Sequence, residues 1–245
     1  MEAVRCPVVE LRQYTLHPGR RDVLIDLFDR EFVEPQEAAG MSVLGQFRDL
    51  DDPDRFVWLR GFADMPRRAE ALESFYGGPV WRAHRDKANA TMIDSDDVLL
   101  LRPPSAQAGF PAPTVPRPAP GAPASSPPSL ILATIWYAHD PFDTAFLDFF
   151  ERRALPVLTA TGAEPLAHLQ SEHATNTFPA LPVRTNEEVF VWFARFPDEA
   201  HLADHLNRLR HSRAWRDGVL PAFSKRWART PQHLRLAPTD RSLLR

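Results

Sequence analysis

The sequence is poor in cysteine and lysine, and it has no long apolar run. Cys6 is the only cysteine among 245 residues, so neither a disulfide framework nor a thiolate metal site is expected. The formal net charge of -3 lacks the basic excess that binding to nucleic acid normally requires. No apolar run approaches the roughly 18 residues of a membrane span, and residues 1–5 do not begin a signal peptide. We therefore expect a cytoplasmic protein without nucleic-acid or membrane partners. Only two of its 29 basic residues are lysines, which suggests a GC-rich bacterial genome.

Signatures of several enzyme classes are also missing from the sequence. There is no phosphate-cradling glycine loop, no dinucleotide fingerprint and no serine–histidine–acid elbow. His201 and His205 stand four residues apart on a predicted helix, but the acid between them does not follow the H-E-x-x-H zinc pattern. Leu206 and its helical neighbours are expected to form the buried stripe, which would turn both histidines to solvent. We therefore predict no metal site.

The chain repeats itself. Residues 56–62 (FVWLRGF) correspond to residues 190–196 (FVWFARF), and Trp81-Arg82 corresponds to Trp215-Arg216, each at an offset of 134 residues. A repeat of this kind indicates two copies of one supersecondary unit that close a core by pairing with each other.

A proline-rich segment separates the two copies. Residues 103–128 contain ten prolines in 26 residues, with Phe110 as the largest apolar side chain. Such a segment buries too little to fold, so we expect an exposed tether, partly polyproline II, that reaches roughly 80 Å when extended. The predicted domains are therefore residues 1–103 and 129–245, with a linker at 104–128.

The first copy is predicted to follow the order βαββαβ. Its strands are expected at 8–16, 42–48, 55–62 and 98–102. The first helix carries Leu24, Leu27, Phe28 and Phe32 and ends between Pro35 and Gly40, and two further helical stretches are expected at about 66–75 and 79–89. This order is that of the ferredoxin-like split arrangement.

The second copy is predicted to repeat that order. Its strands are expected at 130–137, 165–170, 189–196 and 233–236, and its helices at about 142–160, 198–209 and from 214 onward. The main difference is an insertion of about a dozen residues, 171–184, between the second and third strands.

A four-stranded antiparallel sheet with its helices on one face leaves the other face bare and prone to aggregation. The obvious cover is the sheet of the other copy. We therefore predict an α+β fold in which two tandem ferredoxin-like repeats pack their sheets into a barrel of the dimeric α/β-barrel type. The pairing is expected within one chain, although the tether also permits a swapped homodimer.

The first copy resembles a known family. Residues 10–19 (ELRQYTLHPG) resemble the E-L-R-x-Y-x-L-x-P-G opening of the NIPSNAP family, and the similarity extends through Trp58 and Trp81 over residues 8–103. The second copy is a more diverged version, in which Ala133 and Ile135 stand for the opening glutamate and arginine. The resemblance implies the dimeric α/β-barrel superfamily, whose members include cofactor-free monooxygenases, haem enzymes, isomerases and pure binding proteins. It implies no catalytic motif.

One candidate site lies on the first copy. By the two-residue period of a strand, Arg12 and Tyr14 share a face with Glu10, and Trp58 and Arg60 share a face of the strand that pairs with it. Together they predict an aromatic-walled cationic pocket for a planar, anionic or enolisable ligand, with Arg12 and Tyr14 as catalytic groups and Trp58 and Arg60 as binding groups. The alternative is a Glu10–Arg12 pair at a sheet edge with Trp58 in the core.

Further candidates lie on the second copy. His173 opens the inserted loop and is a candidate general base or axial haem ligand, and otherwise a surface residue. His168, Tyr137 and Trp192 are predicted substrate-binding residues, although core packing explains the tryptophan equally well.

Three functions remain open from the sequence. The first is a small-molecule enzyme without a tightly held cofactor, performing oxygenation, isomerisation or cyclisation in bacterial secondary metabolism. The second is a non-catalytic binding or scaffolding protein, and the third is a haem protein. Because Glu10, Arg12 and Arg60 occur only in the first copy and the His173 loop only in the second, the site is expected where the copies differ.

Overall fold

The computed structural model of the chain describes residues 6–113, 115–122 and 129–245. We call residues 6–113 the first half and residues 129–245 the second half. Each half has four strands. They are β1 (Val8–Leu16), β2 (Ser42–Asp49), β3 (Arg55–Phe62), β4 (Met92–Arg102), β5 (Leu130–Ala138), β6 (Glu164–Ser171), β7 (Glu188–Phe196) and β8 (Trp227–Pro238).

Helices follow the first and third strands of each half. They are α1 (Arg21–Leu27), α2 (Val33–Ala38), α3 (Met65–Tyr76), α4 (Pro79–Asn89), α5 (Thr144–Phe149), α6 (Leu155–Ala160), α7 (Glu199–His211) and α8 (Leu220–Ser224). The long first helix predicted for each half is interrupted by a π-helical stretch, Phe28–Phe32 or Phe150–Ala154. A third π-helical stretch, Ala214–Val219, precedes α8.

The eight strands form one closed barrel in the order β1-β3-β2-β8-β5-β7-β6-β4. Neighbouring strands are antiparallel throughout. The halves meet at two short seams, where β2 pairs with β8 over Phe47–Asp49 and β4 pairs with β6 at Leu101 and Arg102. The predicted barrel of two ferredoxin-like units is confirmed, and both units come from one chain.

Strand alternation sorts the side chains into an interior and two outer layers. Leu11 and Leu59 belong to the apolar cluster that fills the barrel. The outer faces of the strands are covered by helices, which gives each half its own second core: Trp58 lies in that of the first half and Trp192 in that of the second. Polar side chains that lie on the helix-covered part of an outer face are therefore buried as well.

Two strands are longer than predicted. β4 begins at Met92 and β8 at Trp227, because polar residues with weak strand propensity extend their pairing with β1 and β5 through irregular registers.

The prediction of an exposed tether is wrong in part. Ala108 is buried, and the ring of Phe110 lies 5.0 Å from that of Phe193 at one end of the barrel. Arg117 Nη2 donates to Glu37 Oε1 over 2.8 Å, so the linker is fixed to α2. Residues 114 and 123–128 of the predicted tether lie outside the described residues.

His205 also differs from its prediction. It is 1% exposed, and its Nδ1 lies 3.0 Å from Thr161 Oγ1, while Leu206 is 44% exposed. The buried stripe of α7 therefore runs through Leu202 and His205, rotated by one residue from the predicted stripe. His201 is exposed, as predicted. No helix within the described ranges is long and apolar enough to cross a membrane.

Candidate functional site

The pairing of β1 with β3 gathers the predicted polar residues of the first half. Glu10 lies opposite Arg60 in the register. Arg12 lies opposite Trp58. Together with Tyr14, these side chains occupy the outer face of the sheet, and each is at most 8% exposed. β1 lies between β3 and β4, so the Glu10–Arg12 pair is central in the sheet and not at an edge.

A further arginine reaches this face from α3. Asp64 caps that helix by accepting a hydrogen bond from the backbone nitrogen of Arg67 over 2.6 Å, and Pro66 lies in the first turn. The next residue, Arg68, is directed at the sheet and is fully buried. We call Glu10, Arg12, Arg60 and Arg68 the arginine cluster.

Glu10 is the centre of the arginine cluster. Its Oε2 accepts from Arg12 Nη1 over 2.8 Å and from Arg60 Nε over 2.7 Å. Its Oε1 accepts from Arg68 Nε over 2.7 Å. Burial by itself raises the pKa of this carboxyl, but the three guanidinium groups hold it well below its usual range. Glu10 is therefore a permanent counterion and not a general acid or base.

One carboxylate does not neutralise three guanidiniums, so the arginine cluster carries net positive charge in a buried place. Three hydrogen-bond donors in and beside the cluster also lack an acceptor among the described residues. They are Arg60 Nη2, Arg68 Nη2 and Trp58 Nε1. Leaving a buried donor unsatisfied costs about 1–3 kcal/mol each, and more for a charged group. The cluster is thus equipped to bind an anion.

Aromatic rings form the walls around these charges. The Cζ atom of Arg12 lies 5.4 Å from the ring centroid of Tyr14 and 5.5 Å from that of Trp58. Arg60 lies 5.0 Å from the Trp58 ring and 5.8 Å from that of Tyr76. Tyr14 Oη accepts from Arg12 Nε over 3.0 Å, and burial raises the pKa of this phenol, so it keeps its proton and can donate it to a ligand oxygen.

The second half closes this site from outside. Residues 172–187, which we call the capping loop, connect β6 to β7 and cross onto the first half. Asn176 Oδ1 and Thr177 Oγ1 accept from Arg68 Nη1 over 2.9 and 3.2 Å. Phe178 stacks on Tyr76 at a centroid distance of 5.9 Å. The site is therefore assembled from both halves of the chain.

The second half provides an internal comparison. Its strand registers pair Leu132 with Ala194 and Thr134 with Trp192, as β1 and β3 pair Glu10 with Arg60 and Arg12 with Trp58. The position of Arg68, four residues after the helix cap, is occupied by Leu202. The equivalents of the four cluster residues are thus three apolar residues and a threonine, all buried. The fold does not require the arginine cluster.

This register shows that Ala133 and Ile135 are not the equivalents of Glu10 and Arg12, as the sequence had suggested. Ala133 and Ile135 point into the barrel and belong to its interior core. The true counterparts of Glu10 and Arg12 are Leu132 and Thr134, one residue earlier. Because side chains alternate along a strand, a shift of one residue exchanges the two faces.

The predicted site residues of the second half do not join the arginine cluster. His168 Nε2 lies 3.1 Å from Glu151 Oε1, its ring packs on Phe150 at 5.0 Å, and burial lowers its pKa. Trp192 lies in the helix-covered core of the second half. His173 is 55% exposed in the capping loop, with Nε2 3.4 Å from Glu188.

Tyr137 lies at one end of the barrel. There a cavity of about 670 Å³ is lined by Tyr137, Arg229 and Gln232, among others. Tyr137 donates to Gln232 Oε1 over 3.0 Å, and the Arg229 guanidinium lies 3.6 Å above its ring. A larger cavity of about 1030 Å³ lies beneath the linker and is lined by Phe110. The arginine cluster lines neither cavity.

In the parts of the chain that the structure covers, no group of three or more His, Cys, Asp or Glu side chains could hold a metal ion.

The first half also matches a known family by sequence. The NIPSNAP family model matches residues 9–106. Residues 9–106 form a NIPSNAP domain. This match ends before the second half, although both halves have the same order of elements.

Solved structures are similar to the NIPSNAP domain alone or to the whole chain. A NIPSNAP family protein of Agrobacterium tumefaciens is 22% identical, covering 39% of this chain and 91% of its own, with a TM-score of 0.37. A candidate monooxygenase of Fusobacterium nucleatum is 9% identical and covers 97% of this chain and 94% of its own, with a TM-score of 0.56. An anthrone oxidase-like protein is 11% identical and also covers 97% of this chain and 94% of its own, with a TM-score of 0.54. The similarities of the monooxygenase-like and anthrone oxidase-like structures, which extend over the whole chain, show the fold. No curated protein matches the chain.

Proposed function

We propose that the chain binds a planar small molecule as its anion, an enolate or a phenolate, at the arginine cluster, and that it acts on this ligand as an enzyme without a tightly held cofactor. The supporting observation is the excess of buried positive charge around Glu10, where donors on Arg60, Arg68 and Trp58 find no acceptor among the described residues. The apolar counterpart in the second half supports it further, because a cluster that the fold does not need is expected to serve function.

The chemistry follows from charge and burial. Guanidiniums that are fixed in a buried site of low dielectric constant stabilise developing negative charge far better than they would in water. Arg12 and Arg60 would hold the delocalised oxyanion, Tyr14 would donate a hydrogen bond to it, and the Trp58 ring would stack on the planar part of the ligand. Such an anion is an intermediate common to the oxygenation, isomerisation and cyclisation of aromatic compounds. For oxidation, dioxygen would serve as the oxidant: an anthrone and dioxygen give the quinone and water.

A phenol with a chromophore tests the binding step. We expect bound 4-nitrophenol to ionise at a pH about one unit or more below that of the free compound, measured by absorbance titration with excess protein. The Arg12→Gln variant should lose most of this shift, whereas Arg208→Gln, a change at an exposed arginine of α7, should keep it. An unshifted pKa of the bound phenol in the unaltered protein would contradict the proposal.

The catalytic step is tested separately. With an anthrone as substrate, a compound suggested by the anthrone oxidase-like structure, we expect dioxygen uptake that Tyr14→Phe slows by about tenfold, as for loss of one oriented donor. Ionisation of 4-nitrophenol without turnover of an anthrone or related enolisable compounds would favour the non-catalytic binding function.

Haem binding has less support from the geometry. The Nε2 atom of His168 lies beside the Glu151 carboxylate, and that of His173 lies beside the Glu188 carboxylate. Neither histidine lines the two cavities described above. Adding haemin tests this alternative, which predicts a Soret band that His168→Ala or His173→Ala removes.

A further inference from the structure

We infer, building on the proposed function, that the ligand also carries a carboxylate, which Arg68 binds in place of Asn176 and Thr177 of the capping loop. The capping loop would then be both a lid and a neutral stand-in for the ligand. Its residues would decide which molecules enter the arginine cluster.

The hydrogen bonds of Arg68 carry this inference. Its Nε is committed to Glu10, its Nη1 is shared between the amide oxygen of Asn176 and the hydroxyl oxygen of Thr177, and its Nη2 has no acceptor within the described part of the chain. The two terminal nitrogens of a guanidinium form a fork that fits both oxygens of a carboxylate. Hydrogen bonds to a carboxylate are roughly twice as strong as those to neutral oxygens, so a ligand carboxylate would replace the loop acceptors.

The surrounding charges favour the same exchange. Burial lowers the pKa of Arg68, the nearby Arg60 and Arg12 lower it further, and only Glu10 opposes them. A second carboxylate at Arg68 would relieve this repulsion and compensate the net charge of the arginine cluster. Arg60 Nη2, which likewise has no acceptor in the part of the chain that the structure describes, is available to the same anion or to a second ligand oxygen.

The contacts of the capping loop allow it to open. None of residues 172–187 is buried, so the loop has no core of its own, and opening it costs mainly its apolar contacts with the first half. At its base the loop is held by backbone hydrogen bonds from Glu172 to Leu100 and from Arg184 to Val98, and by an ion pair of 2.9 Å from Arg184 Nη1 to Asp97. Its tip contacts the first half through Asn176 and Thr177 at Arg68, through a hydrogen bond from Thr177 to the carbonyl of Met65, and through the partly buried Phe178, Leu181 and Val183, which pack against the helix-covered core. The corresponding connection in the first half, between Asp49 and Arg55, is short and forms no such lid.

The Asn176→Asp variant tests the inference. It places a carboxylate where the ligand carboxylate is expected, so it should raise Tm and should weaken binding of 2-naphthoate, measured by calorimetry, by about tenfold or more. In the unaltered protein, 2-naphthoate should bind at least about tenfold more tightly than the isosteric neutral 2-naphthamide. Asn176→Ala should bind 2-naphthoate as well as the unaltered protein or better. Asn207→Asp, the same change at an exposed position of α7, should alter neither Tm nor binding.

Two results would overturn the inference. One is equal affinity for 2-naphthoate and 2-naphthamide, and the other is unchanged 2-naphthoate binding in Asn176→Asp. If either occurs while bound 4-nitrophenol still shows its lowered pKa, the carboxylate assignment fails and the proposed function stands. If the phenol shows no shift, the proposed function fails with it.

Discussion

Glu10 is a fully buried carboxylate that accepts hydrogen bonds from three arginines, two of them on other elements of the first half. Its hydrogen bonds join β1, β3 and α3. Its removal would leave three buried guanidiniums without a counterion, which is more costly than never having buried them.

The first prediction concerns this residue. We expect Glu10→Gln to lower the free energy of unfolding at pH 7 by about 3–5 kcal/mol, measured by urea titration. Because the folded-state pKa of Glu10 is lowered, its stabilising contribution is complete above the unfolded pKa of about 4.3 and is lost as the pH falls further. Glu70→Gln, which alters an exposed ion pair with Arg67, should change stability by less than about 1 kcal/mol. A Glu10 variant as stable as this control would refute the central role of the carboxylate.

The second prediction concerns Asp29, whose pKa is raised to about 6 chiefly by burial. A raised folded-state pKa favours folding at low pH, so this contribution is fully present below about pH 4 and is lost as the pH rises through about 6. Asp29→Asn should therefore stabilise the protein by about 1–2 kcal/mol at pH 8 and have little effect at pH 4, since the amide oxygen can still accept from Gln46. Asp26→Asn, at an exposed position of the same helix, should show no such pH dependence in parallel unfolding curves.

Single residues of the site were partly predictable from sequence. The two-residue period placed Arg12 and Tyr14 on one face, and the structure brings Trp58 and Arg60 to it. Arg68 was missed because an arginine in the first turns of an amphipathic helix normally faces solvent. The available signal was the second half, where the matching residue is Leu202. The contact of Asn176 with Arg68 could not be predicted, because no periodic sequence pattern indicates where a long loop lies in the fold.

Elements outside the barrel also decide how the chain is held together. Arg117 in the linker donates to the carbonyl of Val43 over 2.5 Å, to Glu37, and to the carbonyl of Arg241. Arg241, near the end of the described chain, donates in turn to Pro118 O over 2.9 Å and to Glu34. Linker and C-terminal segment therefore fix each other across one end of the barrel.

The third prediction concerns this contact. In Arg117→Ala the linker loses its charged anchor, so we expect limited proteolysis within residues 115–122 to become about tenfold faster, while the barrel stays intact. Cleavage sites are identified by mass spectrometry. Arg213→Ala, a change at a residue whose side chain is 90% exposed, is the matched control. Equal cleavage rates in the two variants would show that Arg117 does not restrain the linker.

The elements themselves were mostly predictable, and the failures have physical causes. Runs of apolar and aromatic residues located the strands well where both faces are buried, as in β3 and β7. They missed the polar starts of β4 and β8, whose pairing comes from their neighbours and not from their own propensity. The linker was predicted as exposed from its proline content, but Phe110 and Arg117 are single anchors that composition does not reveal.

At the scale of the whole molecule, the two halves share one barrel and leave no unpaired strand edge within it. The duplication in the sequence was sufficient to predict this closure, because each sheet has a bare apolar face. The register between the halves was not predictable, since the two seams between them consist of only a few residue pairs.

The fourth prediction follows from closure within one chain. Sedimentation equilibrium should give the monomer mass of 27.8 kDa over a wide range of protein concentration. Unfolding monitored by tryptophan fluorescence and by circular dichroism should give coincident transitions, because neither half buries its sheet alone. A dimer mass, or two separate transitions, would show that the halves pair between chains or fold independently.

The asymmetry between the halves also sets a stoichiometry. A barrel made of two identical chains would present two equal sites, whereas this chain has the arginine cluster on one side and apolar packing on the other. We therefore expect one ligand for each eight-stranded barrel, that is, one per chain. Because the halves are covalently joined, their pairing is an intramolecular step with an effective concentration that dilution does not change. Occupancy of the site should then depend on ligand concentration alone, even where the protein is scarce.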